Sequence, residues 1–118
     1  MKDNILLDKS LNFAARIVKL HKYLIKEKKE TIISNQIGRS ATSICANIAE
    51  SKYGHSRADF ITKLEIALKE TNETGKWLEM LYKTDYIDEV TYKRINKTCS
   101  TIRILLIASI RTAKENGK

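Results

Sequence analysis

Proline is absent from this 118-residue chain, and glycine occurs only four times. An all-β fold of this size needs turn residues at intervals of about ten residues, and proline and glycine supply most of those turns. The shortage therefore argues against a β-sandwich or a β-barrel. A chain of 13.5 kDa is long enough to bury one hydrophobic core, so we expect a single domain over residues 1–118.

Cysteines and long apolar runs are also scarce. Cys45 and Cys99 are far apart in the sequence, so they form no Cys-x-x-Cys motif for a metal or a redox reaction. Both occupy apolar helix positions, which predicts small buried side chains in a reducing compartment. The chain has no run of about 18 apolar residues to span a membrane, and its start, MKDNILLDKS, lacks the apolar core of a signal peptide. We therefore expect a cytoplasmic protein with no membrane partner.

Hydrophobic residues recur every three or four positions over most of the chain, the pattern of amphipathic helices. We predict four helices over residues 8–28, 31–51, 56–83 and 88–113, followed by a frayed tail. Ser56 and Asp59 resemble a capping box, and Asp88 is a candidate N-cap. Because the connections are short, sequential helices must lie antiparallel, so the predicted fold class is an all-α, up-down-up-down four-helix bundle.

Three surface patterns accompany the apolar stripes. Ser40, Ser43 and Asn47 lie at three- and four-residue spacing, which predicts a polar seam where helices or subunits meet. Glutamates and lysines alternate along the third helix, which predicts a solvated face with i,i+4 ion pairs. Four aromatic residues either close the end of the core or lie between subunits, and both interpretations stay open: Trp77, Tyr82, Tyr86 and Tyr92.

Residues suited to catalysis or metal binding are rare. Neither His21 nor His55 follows a glutamate three residues earlier, as the histidines of di-iron bundles do. His21 lies on an apolar helix face, which predicts a structural role. His55 is close to Ser56 and Asp59, but capping already explains those two residues. The glycines are too scattered for a phosphate-binding loop. We therefore predict no enzyme, no metal and no cofactor.

Basic residues outnumber acidic ones by 22 to 14, which gives a formal net charge of +8 and favours polyanionic partners. Without aromatic interleaving or a helix-turn-helix pattern, contact with the backbone or shape of RNA, or of an RNA–DNA hybrid, is expected over sequence readout. The alternative is ordinary solubilising charge. Arg39 and Arg57 have a second alternative, ion pairs with Glu50 and Asp59 or across a subunit contact. The candidate nucleic-acid-binding residues are Lys9, Arg16, Lys19, Lys22, Lys26, Arg39, Arg57, Lys93, Arg94, Lys97, Arg103 and Arg111.

The segment over residues 37–60, IGRSATSICANIAESKYGHSRADF, is the most distinctive part of the chain. Its specific residues, with two that follow, are Arg39, Ser40, Ser43, Ile44, Asn47, Ile48, Ala49, Glu50, Ser56, Asp59, Phe60, Ala67 and Glu73. Over about residues 8–112 the chain resembles the bacterial four-helix-bundle proteins encoded by intervening sequences of 23S ribosomal RNA genes. That family also includes the accessory variability determinants of diversity-generating retroelements. Ser51 replaces a frequent glycine, and Lys69 and Glu70 replace a frequent Gly-Ser pair, which is closer to the retroelement branch.

The resemblance implies a homopentameric barrel of four-helix protomers with a basic surface. For the retroelement branch it further implies a non-catalytic cofactor of mutagenic cDNA synthesis, which binds a dedicated reverse transcriptase and its structured template RNA. For the ribosomal branch it implies a structural oligomer with no defined role. The residues agree with both branches and do not choose between them.

Overall fold

The structure is a computed structural model that describes the backbone of residues 2–117 and the side chains of residues 5–117. It contains four helices: α1 (Lys2–Lys28), α2 (Ile32–Ser51), α3 (Arg57–Lys83) and α4 (Glu89–Asn116). No strand occurs in residues 2–117. Each helix contacts the next, and α1 also contacts α4, so the four helices close into an elongated bundle of 49 × 22 × 21 Å. The predicted all-α class and four-helix bundle are confirmed.

Side-chain contacts between the helices fix their directions. Ser40 bonds to Thr74, and Glu50, ten residues further along α2, pairs with Lys63, earlier on α3. Numbers that rise on one helix therefore fall on its neighbour, so α2 and α3 are antiparallel. The beginning of α3 contacts the end of α4 in the same way. This is the arrangement that the short connections predict.

One cluster of apolar side chains, shared by all four helices, forms the core. Ile17 of α1, Ile44 of α2, Leu78 of α3 and Leu106 of α4 are completely enclosed. Burial of each such side chain contributes about 1.5–3 kcal/mol relative to leaving it exposed. Cys99 lies in this cluster, and burial raises the pKa of its thiol to about 11. Cys45 is only half-buried, which corrects the prediction that both cysteines are buried.

The first and last helices show where the sequence prediction was wrong about helix length. α1 begins at Lys2 rather than at residue 8, and its Leu6 joins the core, which stabilises the extra turn. α4 continues to Asn116, although the predicted helix ended at residue 113 before a frayed tail. A hydrogen bond from Arg57 to the carbonyl of Ala113, 3.2 Å long, anchors this last stretch of α4 to α3.

Two predicted caps are present, and a third cap was not predicted. Ser56 and Asp88 accept the backbone N–H groups of the third residue after each, at 3.1 and 2.8 Å. At α2, Thr31 makes no side-chain capping bond. Instead the carboxylate of Glu30 accepts the first three backbone N–H groups of α2, at 3.0, 3.0 and 2.7 Å. Lys29 has a left-handed backbone, with φ 56°, and this turn brings Glu30 back onto the helix end. Glu30 is buried, although it is the last residue of the charged run KEKKE at residues 26–30.

Candidate nucleic-acid interface

The positive charge of the chain is concentrated on two of its four helices. α1 carries seven basic and three acidic residues, and α4 carries six and two, so each helix has a net charge of +4. α2 carries one residue of each sign and α3 five of each, so both are neutral. Because α1 and α4 are neighbours, the excess charge lies on one side of the bundle and produces a positive potential there.

A groove separates the two basic helices, because α1 and α4 have the least extensive of the four helix–helix contacts. Its middle is a hollow of about 330 Å³, which we call the basic groove. Six of its lining residues carry polar or charged side chains, and these can offer positive charge and hydrogen-bond donors to phosphate oxygens. The lining residues are Lys9, Asn12, Phe13, Arg16, Lys97, Thr98 and Thr101.

Helix geometry explains why these residues converge. Lys9 and Arg16 are two turns apart on α1 and therefore share one face, and both line the groove opposite Lys97 of α4. The sequence analysis named these three cations but missed Asn12 and Thr98, which are uncharged. The signal that could have identified them is their place beside the apolar stripe of each helix, where a side chain borders the neighbouring helix.

The other basic residues of α1 lie outside the basic groove. Lys19, Lys22 and Lys26 are exposed. At 100° per residue they are rotated about 60° to 120° around α1 from Arg16. They therefore add to the positive potential on this side of the bundle without lining the groove itself.

Two predicted residues lie in the first turns of α4. Lys93 is exposed and pairs with Glu89 at 3.5 Å, one turn earlier on the same helix. Arg94 is also exposed, and it is close enough to Asp88 to favour the charged form of that carboxyl. Hydrogen bonds from Thr91 lower the pKa of the Asp88 carboxyl, and the positive charge of Arg94 lowers it further. Both residues stay on the basic side of the bundle.

Three predicted residues are associated with the contact between α3 and α4 rather than with the groove. Arg57 donates to the carbonyl of Ala113, so it has a structural partner. Arg111 lines a separate, mainly apolar hollow formed by α3 and α4. Arg103 is exposed and near Cys99, where burial raises the pKa of the thiol and the charge of Arg103 opposes that rise.

Arg39 lies on the seam between α2 and α3, across the bundle from the groove. Its two terminal nitrogens lie 3.5 Å from Glu70 and 3.1 Å from Glu73, both on α3. Arg39 is therefore paired with α3, whereas Glu50 pairs with Lys63 at 3.2 Å. Arg39 and Glu50 were expected to pair with Arg57 and Asp59. The described contacts instead give Arg39 and Glu50 other partners on α3.

Hydroxyl side chains complete this α2–α3 seam. Ser40 and Thr74 are buried and hydrogen-bonded to each other at 2.8 Å. Ser43 donates to Glu70 at 3.3 Å, and Asn47 donates to Ser43 at 3.1 Å. The predicted polar seam is confirmed as a contact between helices of one chain.

The acidic residues of α3 pair differently from the prediction. Glu65 contacts Lys114 of α4 at 3.0 Å, and Glu70 and Glu73 contact α2. Among the ion pairs of the described residues, one lies within α3, between Lys76 and Glu79 at i,i+3 spacing. The predicted i,i+4 pairs are therefore wrong, because helix packing brings oppositely charged residues of neighbouring helices within reach.

The two histidines lie in different surroundings. His21 lies 3.0 Å from Asn35, which links α1 to α2 and fits the structural role predicted for it. His55 is exposed in the connection before α3. Among residues 5–117 no three His, Cys, Asp or Glu side chains are grouped to hold a metal ion. Over the described residues no helix has the length and hydropathy to cross a bilayer, and the cytoplasmic location stays a prediction.

Comparison with known proteins identifies the family. A family model described as the 23S rRNA-intervening sequence protein matches residues 2–108. The chain belongs to this family. It is also similar to a solved structure of a protein of unknown function from the S23 ribosomal protein family of Bacteroides thetaiotaomicron. The two are 56% identical, with a TM-score of 0.92 over 94% of this chain and 99% of that one. No curated protein matches the chain.

The family match confirms the resemblance inferred from residues 37–60. The matched region includes every residue of the basic groove and ends before Arg111. The basic groove therefore belongs to the part of the chain that the family model describes.

Proposed function

We propose that this protein is a non-catalytic accessory protein that binds structured RNA on the α1–α4 side of its bundle. The observation that carries the proposal is the separation of charge, with +4 on each of α1 and α4 and none on α2 or α3. A surface that needs only solubility does best with charges of both signs interspersed. Basic residues gathered on one face are the usual electrostatic footprint of nucleic-acid binding.

The groove supplies the contacts of closest approach in this proposal. Lys9, Arg16 and Lys97 bind phosphate oxygens, and Asn12 donates a hydrogen bond to the sugar or phosphate. The Thr101 hydroxyl donates to the carbonyl of Lys97 at 3.1 Å, so it accepts a hydrogen bond from a sugar 2′-hydroxyl. The remaining cations of α1 and α4 attract the RNA and orient it. The logarithm of the RNA-binding constant falls linearly with the logarithm of the salt concentration, and we call the gradient the salt slope. Each neutralised phosphate contributes about −0.7 to −0.9 to this slope, so three groove contacts contribute roughly −2 to −3.

We also propose that the protein assembles into a homo-oligomer. The expected size is the pentamer that the family resemblance implies. What supports it is a row of α3 residues at four- and three-residue spacing: Ile66, Glu70, Glu73, Trp77 and Met80. Ile66 and Met80 are exposed apolar side chains. A neighbouring protomer packed on this row would cover the exposed apolar side chains of Ile66 and Met80, which burial between subunits favours.

The retroelement branch adds a reverse transcriptase as partner, with this protein as a cofactor of cDNA synthesis. Lys69 and Glu70, which stand where a Gly-Ser pair is frequent, are closer to that branch, although the residues agree with both branches. A structural oligomer of the ribosomal branch is the alternative, and it predicts no retention of RNA at physiological salt. A reverse transcriptase gene with a repeated template beside the gene for this protein would favour the first, and a surrounding 23S rRNA gene the second.

The proposed RNA contact can be tested with two matched charge reversals. The groove variant changes Lys9, Arg16 and Lys97 to Glu. The control changes three exposed lysines of α3 to Glu and alters the net charge by the same amount: Lys69, Lys76 and Lys83. We expect the groove variant to bind a structured RNA at least about 100-fold more weakly at physiological salt and to lose about 2 to 3 units of salt slope.

Fluorescence anisotropy with a labelled RNA stem-loop measures both quantities, and circular dichroism shows that each variant is folded. Equal losses in the two variants would mean that net charge alone attracts the RNA, which contradicts a groove site. Size exclusion with light scattering tests the assembly separately. A mass of five protomers is expected, and a monomer would contradict that part of the proposal.

A further inference from the structure

The seam between α1 and α4 continues past the basic groove to one end of the bundle. There it widens into a recess of about 570 Å³, which we call the end recess. Its walls come from the last turns of α1, from the connection between α3 and α4, and from the first turn of α4. The lining residues are Leu20, Tyr23, Lys28, Asp85, Tyr86, Ile87, Asp88 and Thr91.

Helical spacing shows that the groove and the recess are consecutive parts of one seam. Leu20 lies one turn after Arg16 on α1, and Thr91 lies two turns before Thr98 on α4. Tyr23 is about 10 Å along the helix axis from Arg16, at 1.5 Å per residue. That distance corresponds to roughly three nucleotides of one strand at 3.4 Å each. A strand whose phosphates occupy the groove can therefore place a base in the recess.

Two tyrosine rings give the recess an aromatic surface. Tyr23 is 46% exposed, a large apolar ring left accessible on the basic side of the bundle. Tyr86 packs against the core, and its backbone N–H donates to the carbonyl of Leu81 at 2.9 Å, which fixes its position in the turn. Tyrosine rings at a basic groove are the standard platform for stacking unpaired bases, and each stacked base contributes about 1–3 kcal/mol.

Two carboxylates decide which part of a nucleotide fits. Asp85 and Asp88 outnumber Lys28, the one cation among the residues that line the recess, so the recess has a net negative charge and favours an uncharged base over a phosphate group. A carboxylate accepts hydrogen bonds from exocyclic amino groups, as Asp and Glu do with cytosine N4. Asp88 already accepts the N–H of Thr91 at 2.8 Å, whereas Asp85 is exposed in the turn at φ 67°. Asp85 is therefore the first candidate to read a base.

We propose that the end recess binds an unpaired nucleobase with an exocyclic amino group, stacked on Tyr23, while the basic groove holds the phosphates of the same strand. This inference rests on the proposed RNA binding and adds that the protein prefers RNA with single-stranded segments. Cytosine, adenine and guanine carry the required amino group, and uracil does not.

The test compares two RNAs and two matched variants. One RNA is a perfect duplex, and the other is the same duplex with a single-stranded extension of cytidines. In the test variant Tyr23→Ala, we expect about tenfold weaker binding of the extended RNA and unchanged binding of the duplex. The control is Tyr53→Ala, because Tyr53 is 83% exposed in the connection between α2 and α3, outside the recess. The control should change neither affinity, and Tyr23→Phe should keep the wild-type preference because it keeps the ring.

A loss that is equal for both RNAs, or no loss at all, would overturn the recess while leaving the basic groove intact. Titration with the nucleosides cytidine and uridine, which carry no phosphate, followed by nuclear magnetic resonance, examines the recess without the groove. Chemical-shift changes that favour cytidine and disappear in Tyr23→Ala support the inference, and equal responses to the two nucleosides overturn it. If the wild-type protein binds neither RNA, the proposed function fails, and this titration still decides the recess.

Discussion

The α2–α3 seam and the α1–α4 seam lie on opposite sides of the same bundle and differ in nearly every property. α2 and α3 share the most extensive helix contact, and α1 and α4 the least. The first seam is electrically neutral and joined by Ser40, Thr74 and the ion pairs of Arg39. The second is basic and open, with Lys9 and Lys97 on its two walls.

The difference follows from side-chain size and charge. Ser40 and Thr74 are small and satisfy each other, so two backbones can approach closely around them. Lys9 and Arg16 face Lys97 without a carboxylate among the groove-lining residues, and closing the helices around them would bury like charges at a high cost in free energy. The bundle thus uses one seam for cohesion and leaves the other accessible to a polyanion.

Removing a buried side chain of α3, one of the two helices of the α2–α3 seam, should have the largest effect on stability. We expect Leu78→Ala, at a fully buried α3 position, to lower the free energy of unfolding by about 3 kcal/mol, because it loses transfer energy and leaves a cavity. The matched change Leu20→Ala, at a half-buried position beside the open seam, should cost about 1 kcal/mol. Urea denaturation followed by circular dichroism measures both. Equal losses would mean that the two seams contribute alike to stability.

The buried cap of α2 should come next. Glu30→Ala removes an acceptor shared by three backbone N–H groups, and we expect a loss of about 2 kcal/mol because those donors become unsatisfied. Ser56→Ala, at the exposed cap of α3, should cost about 1 kcal/mol. The same denaturation experiment compares them. A larger loss for Ser56→Ala would contradict the assignment of Glu30 as the stronger cap.

Two arginine substitutions should distinguish a residue that holds α2 and α3 together from a residue that binds RNA. Arg39→Ala breaks ion pairs in the closed seam, where Arg39 is 52% exposed; we expect a stability loss of about 0.5 kcal/mol and no change in RNA affinity. Arg16→Ala removes one groove cation and should leave stability nearly unchanged, while RNA binding weakens several-fold and the salt slope falls by roughly one unit. If Arg39→Ala weakens RNA binding as much as Arg16→Ala, the contact is not confined to the open seam.

The features that the sequence predicted well are local ones. Apolar spacing identified four helices, and the caps at Ser56 and Asp88 depend on residues only three positions away. The antiparallel order of the helices also followed, because short connections place sequential helices side by side. These features need no knowledge of how a helix is rotated about its axis.

The features that escaped prediction depend on rotation and on distant contacts. Only the packed bundle shows that Lys9 and Arg16 face Lys97 while Lys19 does not. The pairing of Glu65 with α4 could not be read from α3 alone. Glu30 became a cap because Lys29 adopts a left-handed turn, and nothing in the run of charges indicates that conformation.

The smallest expected effect is the loss of stability at acid pH that arises from Asp88, the N-cap of α4. Hydrogen bonds from Thr91, and then the charge of Arg94, lower the pKa of Asp88 below its usual value of 3.8. Asp88 therefore stabilises the folded protein above that pH, and the contribution disappears as the pH falls through the lowered pKa, because the folded state must then take up the proton. Asn is as good an N-cap as Asp, so Asp88→Asn should leave stability at pH 7 almost unchanged. The variant should also lose less stability than the wild type between pH 4 and pH 2, since no carboxylate at this position titrates. Parallel urea denaturation across that range measures the difference, and identical acid profiles would show that Asp88 makes no charge-dependent contribution to α4.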